Sequence, residues 1–301
     1  MKSKGLLSIA VITIISYFLL KNLFDNWQEF IQSVENFNLF PIILSLGLLL
    51  IFYVIHSIIW KIIIKNLGYE ISIKKAIKIR SISEIGRYTP GKIWHFLGRA
   101  YFSKKVGIPK TTTLTSLVIE TLSMMASAIA IFLLFSPGIV KMNAPAVLLI
   151  LLACLIILRS EKFNNLINKI LIKKGKLKGK ININIPWTSL IIILILYGIS
   201  WIIIGTSLLL TIKSIFPEIS YFSILNISGI FAVSWVIGYI SFLTPGGIGV
   251  REGTMTILLA SQFPQPIAIL VPIIFRILTV ISELLMIVFT SKIKLINRIV
   301  H

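Results

Sequence analysis

Cysteine is all but missing from this chain. Cys154 is the only one in 301 residues and lies in an apolar run, which excludes a disulfide framework and a thiolate metal cluster. The three histidines, His56, His95 and His301, stand too far apart in sequence to build a metal site unaided. Nothing matches a glycine-rich nucleotide loop or a Ser-His-Asp order. Acidic residues are scarce as well, 10 against 30 Lys and Arg. Also missing is the alternation of apolar and polar residues that marks a membrane barrel, since runs such as Leu190–Leu196 are apolar throughout. These absences predict no catalytic residue, no metal, no cofactor and no enzymatic activity.

Apolar length is what the chain has. It is 56% hydrophobic and 13% charged, with a mean hydropathy of +0.96. Several stretches exceed the roughly 18–20 residues that cross a bilayer. The expected fold is all-α, a polytopic helical membrane bundle of about eight traverses with re-entrant or broken helices, forming one integral membrane domain over 1–301. Lys2 and Lys4 precede an apolar run, Gly5–Phe24, that is too long for a cleaved signal and has no small-x-small site after it. It reads as a retained first span.

The net charge of +20 is unevenly placed. Lys61–Lys110 holds twelve Lys and Arg, Arg159–Lys180 eight, the first four residues two and the last eleven three. The intervening hydrophilic stretches carry Lys21, Lys141 and Lys213 against Asp25, Glu29, Glu35 and Glu218. This is the positive-inside pattern. It predicts a multi-pass membrane protein with both termini cytoplasmic, and the richness in Ile and Lys suggests a prokaryotic genome and hence the cytoplasmic membrane. Attraction to anionic lipid headgroups explains the basic loops more economically than a nucleic-acid partner.

Further spans are expected at Ile42–Ile64, opened by Pro41, and at Thr111–Phe135, Ala144–Leu158, Pro186–Ile212, Tyr221–Leu243 and Ile267–Thr290. Ile71–Ile85 is too polar to span and is expected on the inner leaflet surface, with Ser81 and Glu84 at capping-box spacing to start a new helix. Ile93–Val106 is expected as a re-entrant or interfacial helix. Arg159–Ile185 reads as a basic loop. Thr254–Phe263, ended by Pro264 and Pro266, spans roughly 15 Å of helix. For the tail to stay inside, it must complete a crossing.

Two elbows interrupt the apolar runs, Tyr88-Thr89-Pro90-Gly91-Lys92 and Leu243-Thr244-Pro245-Gly246-Gly247-Ile248-Gly249-Val250-Arg251-Glu252-Gly253. A shift of 155 superposes Thr89-Pro90-Gly91 on Thr244-Pro245-Gly246 and Pro109 on Pro264. That suggests an internal repeat, about 41–136 and 187–290, parallel or inverted, with a transporter-like central site. Each Thr-Pro-Gly suits a helix start, with threonine as cap and proline at the first helical position. Open amides there beside Lys92 or Arg251 would suit an anionic phosphate headgroup. The competing reading is a helix break whose charges snorkel to the interface. Both elbows are placed on the inner face.

Glu120 and Arg276 fall near mid-span, and Glu283 lies seven residues beyond Arg276 on the same face. Isolated ions there are costly, so Glu120–Arg276 or Arg276–Glu283 pairs are expected. These are either a structural lock or part of a polar site. His56 reads as a satisfied bundle residue. His95, between Lys92 and Arg99, reads as part of the re-entrant segment's polar set.

The segments Glu84-Ile85-Gly86-Arg87-Tyr88-Thr89-Pro90-Gly91-Lys92-Ile93-Trp94 and Thr244–Gly253 resemble the paired signatures of the flippase-like family. That family includes the transmembrane region of lysylphosphatidylglycerol synthases. The resemblance spans essentially the whole chain and implies movement of a lipid between leaflets, such as an aminoacylated phospholipid or a glycosylated polyprenyl carrier. By position it carries substrate-binding roles onto Arg87, Thr89, Pro90, Gly91, Lys92, Thr244, Pro245, Gly246, Gly247, Arg251 and Glu252, to which the charge pattern adds His95 and Arg99. The chain ends eleven residues past its last span, leaving no room for the aminoacyl-transferase domain of those synthases. A separate lipid-modifying enzyme is therefore expected as partner. Two other readings stand beside this one. One is a membrane glycosyltransferase or accessory subunit using a polyprenyl-phosphate donor and the acids Asp25, Glu29 and Glu35. The other is a small-solute or ion transporter.

Overall fold

A computed structural model of the protein describes residues 37–88, 93–135, 144–173, 185–241, 244 and 247–295. The first span, the acids of the first outer loop, Thr89, Pro90, Gly91, Lys92, Pro245 and Gly246 lie outside the described residues. The described chain is an all-α membrane bundle of ten helices. They are α1 (Leu39–Asn66), α2 (Ile73–Glu84), α3 (Trp94–Lys104), α4 (Lys110–Phe135), α5 (Ala144–Arg159), α6 (Glu161–Lys173), α7 (Trp187–Lys213), α8 (Ile224–Ile240), α9 (Val250–Leu259) and α10 (Gln265–Thr290). Of these, α1, α4, α7 and α10 are long and apolar enough to cross a membrane.

Helix starts follow local chemistry. The Asn38 side chain accepts from the Phe40 N–H at 2.9 Å and opens α1. Ser72 caps α2 through the Lys75 N–H. The expected new helix at Ser81 does not form, because Ser81 sits inside α2 and spends its hydroxyl on the Ile77 carbonyl. Arg159–Ile185 is not wholly loop either. Ser160 accepts from the Phe163 N–H and starts α6, with Glu161 in the first turn.

The bundle rests on the antiparallel pair α1 and α7. The Asn38 N–H donates to the Ser214 carbonyl at one end, and Ser189 donates to Asn66 at the other. Nearer the Asn38/Ser214 end, Ser45 and Ser207 exchange hydroxyl–carbonyl bonds at 2.9 Å, the small-residue approach that lets membrane helices come close together. On the other face of α7, Gly205 admits α8, since a Cβ there would meet Ser228 Cα at 2.6 Å. The Trp201 indole donates to Ser127 of α4, and the Trp60 indole of α1 donates to Ser116 of α4.

Two helical hairpins enter this frame from opposite ends. The pair α2–α3 opens at the Asn66/Ser189 end. Ile71, Ala76 and Ile79 pack there with Ile64 and Ile108, and Lys78 caps the end of α10 by donating to the Ser291 and Ile293 carbonyls. The pair α8–α9 opens at the Asn38/Ser214 end, where Asn226 donates to Gln262 at 3.0 Å and Phe263 packs against Phe216. The short segment after the second elbow thus returns to the end at which α8 began. It does not complete the crossing expected of Thr254–Phe263, and Tyr221–Leu243 is not a full span but the first arm of a re-entrant hairpin, so the second elbow lies within the bundle rather than on the inner face. The 155-residue shift carries α4, Lys110–Phe135, onto α10, Gln265–Thr290, residue for residue, and those two helices run in opposite directions.

Burial corrects a further expectation. Helix α2 does not lie on the leaflet surface; it packs against α1, α3 and α10, burying Arg80, Ser81, Ser83 and Glu84. In α3 the polarity is inside-out, with Trp94, Leu97 and Tyr101 exposed and Arg99 only 2% exposed. An apolar solvent outside the bundle rewards that orientation.

Candidate functional site

Ten residues separate Glu252 from Gln262 in α9 and its continuation, roughly 15 Å of helix. This is about half the ~30 Å hydrocarbon core. The hairpin tips therefore meet near mid-depth, and the ionisable residues of both gather there.

Glu120 of α4 accepts from Arg99 at 2.6 Å and from Arg80. Glu84 accepts from Arg99 at 3.0 Å and from Arg87. Arg87 also reaches Glu283 of α10 at 3.3 Å, and the Tyr53 and Tyr88 hydroxyls donate to the same carboxylate at 2.9 and 2.7 Å. Arg80 donates to His56 Nδ1 at 3.1 Å. That makes Nε2 the protonated nitrogen, which donates to Ser200 at 3.2 Å, so His56 is the satisfied bundle residue expected. Glu84 is thus buried among three guanidinium groups, those of Arg80, Arg87 and Arg99.

The expected pairs of Arg276 do not form. Arg276 and Glu283 share a face but stand two turns apart, roughly 10 Å along the axis, and Glu283 is taken by the first hairpin. Arg276 turns instead to Glu252, 3.9 Å away, and lies over the Tyr88 ring at 5.2 Å. Glu120 is likewise taken by Arg80 and Arg99 rather than by Arg276.

The second elbow differs from the Thr-Pro-Gly cap read in the sequence. Helix α9 starts at Val250, with Gly249 at its cap. Gly247 and Gly249 hold φ of 73° and 82°, a region open to glycine, and they carry the elbow beyond Thr244. A Cβ on Gly247 would meet the Gly238 carbonyl oxygen at 2.6 Å. Thr244 is buried, and its hydroxyl makes no hydrogen bond among the described residues. One of the amides at this helix start is occupied by the chain itself, since the Gly249 N–H donates to the Glu252 carboxylate at 2.7 Å. Arg251 donates to the other oxygen of that carboxylate at 3.2 Å.

Between the tips lies a cavity of about 290 Å³. Arg80, Glu84, Arg87, His95, Arg99, Glu120 and Arg251 form its polar side, and Phe96, Leu117, Met124, Met125, Trp235 and Tyr239 its apolar side. Trp235 and Tyr239 stack at 4.9 Å, and Tyr239 meets Thr121 at 3.2 Å. A charged wall facing an aromatic and thioether wall suits an amphiphile. Of the residues singled out in the sequence, the structure brings Arg87, His95, Arg99, Glu120 and Arg251 to the cavity. Glu252, Arg276 and Glu283 stand behind it as counter-ions, while Thr244 and Gly247 shape the elbow. Arg80 escaped the sequence reading, and Glu84 entered it only as a cap and as the first residue of the family-like segment, not as a member of the site. Their signal was an Arg–Glu pair at i, i+4 in a segment otherwise read as surface.

The sequence matches the family described as Lysylphosphatidylglycerol synthase TM region over residues 5–286. No curated protein matches the chain.

Proposed function

This chain belongs to the lysylphosphatidylglycerol synthase transmembrane-region family, a lipid-related membrane family, and from that premise we propose that it is a lipid translocase. It passes the headgroup of a phosphate-bearing lipid, such as a modified phospholipid or a glycosylated polyprenyl carrier, between leaflets of the cytoplasmic membrane. The observation that carries this reading is the mid-depth cavity, reached by one hairpin from each end and lined by four arginines opposite Trp235, Tyr239, Met124 and Met125. Guanidinium groups pair with phosphate oxygens through a planar fork, and the apolar wall accommodates the start of the lipid tail. Sites at the meeting point of broken helices from opposite faces are the arrangement of transporters that alternate access. The reading requires no covalent step, and a separate enzyme supplies the lipid.

The test is reconstitution of the full chain in liposomes with labelled phospholipids and polyprenyl-phosphate glycans, scoring leaflet exchange. Arg251→Ala is expected to lower exchange about tenfold or more, the effect of losing roughly 1.4 kcal/mol of headgroup interaction, with insertion intact. Wild-type exchange in that variant would remove Arg251 from the transport path. Absence of exchange for every lipid offered to folded wild-type protein would remove translocation itself.

A further inference from the structure

The buried ions fall into two groups with different charge balance. Around the first hairpin, three arginines (Arg80, Arg87 and Arg99) meet three carboxylates (Glu84, Glu120 and Glu283), and every carboxylate is paired. Around the second, Arg251 and Arg276 share the single carboxylate of Glu252, which already accepts from the Gly249 N–H. With histidines neutral, the first group sums to zero among the described residues and the second carries one excess positive charge. An unbalanced charge at this depth is expensive unless something completes it. Hydrogen bonding leaves donors over on both sides, more of them in the second group. Arg251 Nε and Arg276 Nη2 there, and Arg80 Nε in the first group, are buried without a partner among the described residues, and Arg251, only 8% exposed, lines the cavity. His95, on the same cavity, also has a buried Nδ1 without a partner there.

We propose that the cavity takes a headgroup of one net negative charge, a phosphodiester engaged by Arg251, and disfavours headgroups of net positive charge. The inference rests on the translocase reading for its lipid source but not for its charge. A phosphodiester supplies the missing unit of charge and two acceptor oxygens for a planar guanidinium. A lysyl ester of phosphatidylglycerol brings two ammonium groups with its one phosphate and would add charge where one unit is already in excess. The charge balance therefore points away from the lipid that gives the family its name.

The experiment compares labelled phosphatidylglycerol, phosphatidylcholine and lysylphosphatidylglycerol in liposomes containing the full chain. The same headgroups on dioctanoyl lipids, together with inorganic phosphate, are tested as stabilisers of the detergent-solubilised protein. Phosphatidylglycerol is expected to exchange about tenfold faster than its lysyl ester, and dioctanoyl-phosphatidylglycerol alone to raise the melting temperature. Arg251→Gln, which neutralises the second group, should bring the two rates to within about twofold. Arg251→Lys, which keeps the charge, should hold the preference. Equal wild-type rates for the anionic and the cationic lipid, or a preference that survives in Arg251→Gln, overturn the proposal. The wild-type comparison decides it even if the variant does not fold. Stabilisation by the anionic lipid without exchange of any lipid would overturn translocation and support the charge assignment. Equal stabilisation by inorganic phosphate would assign the site to a soluble anion and overturn its lipid source.

Discussion

Glu120 is held by two guanidinium groups, and that arrangement determines what its loss does. Glu120→Gln leaves Arg80 and Arg99 to share Glu84 with Arg87, so buried positive charge goes unpaired. The expected loss is about 3–5 kcal/mol of stability, read as a lower melting temperature in detergent. Adding Arg80→Met restores the charge balance and should recover part of it, a coupling of about 1 kcal/mol or more. A single variant that melts with the wild type would show that the network is not what holds the tips together.

At the scale of the element, close approaches of backbone decide more than large apolar faces do. In hydrocarbon there is little hydrophobic gain in bringing two helices together, so backbone proximity and hydroxyl bonds carry association. Gly205 shows this most directly, because a methyl group there would sit 1.9 Å from Ser228 Oγ and 2.6 Å from its Cα. Gly205→Ala must force α7 and α8 apart, at an expected cost of about 1–3 kcal/mol. Ser228→Gly on the facing helix removes the hydroxyl and should return only part, since the clash with the backbone of α8 stays. Thermal unfolding of the single and double variants checks the pair. A neutral Gly205→Ala would mean that the two helices do not approach each other this closely.

For the whole molecule, the opposed hairpins and the charge distribution together define an orientation. Glu218 lies just beyond α7 and Ser291 just beyond α10, at opposite ends of the bundle, and both are exposed. The concentration of Lys and Arg at the Ser291 end predicts that this end faces inside. In a chain with Cys154 replaced by Ala, an impermeant thiol reagent applied to intact cells should label Glu218→Cys and leave Ser291→Cys unlabelled. The reverse pattern would invert the molecule in the membrane.

Much of this architecture was legible in the chain. Apolar length set the long helices almost to the residue, as at Lys110–Phe135, because hydrocarbon demands a continuous run of internally bonded backbone. Glycine marked the second elbow, where Gly247 and Gly249 take positive φ, while lysine asymmetry supplies an expected orientation. Partner choice was not legible. Glu283 takes Arg87 and Tyr88, almost two hundred residues away in sequence, because side chains meet across hairpins that only the folded bundle brings together. Arg276 turns to Glu252 for the same reason. The cap of α9 was misread for a related reason. Thr244 and Pro245 carry a plausible local signal, yet Glu252 closes the amide at Gly249, five residues farther on. The opposite directions of α4 and α10, how the hairpin tips share one cavity and where the unbalanced charge sits were decided only in three dimensions. Local propensity acts over a few residues, whereas burying an ion depends on every other charge within reach.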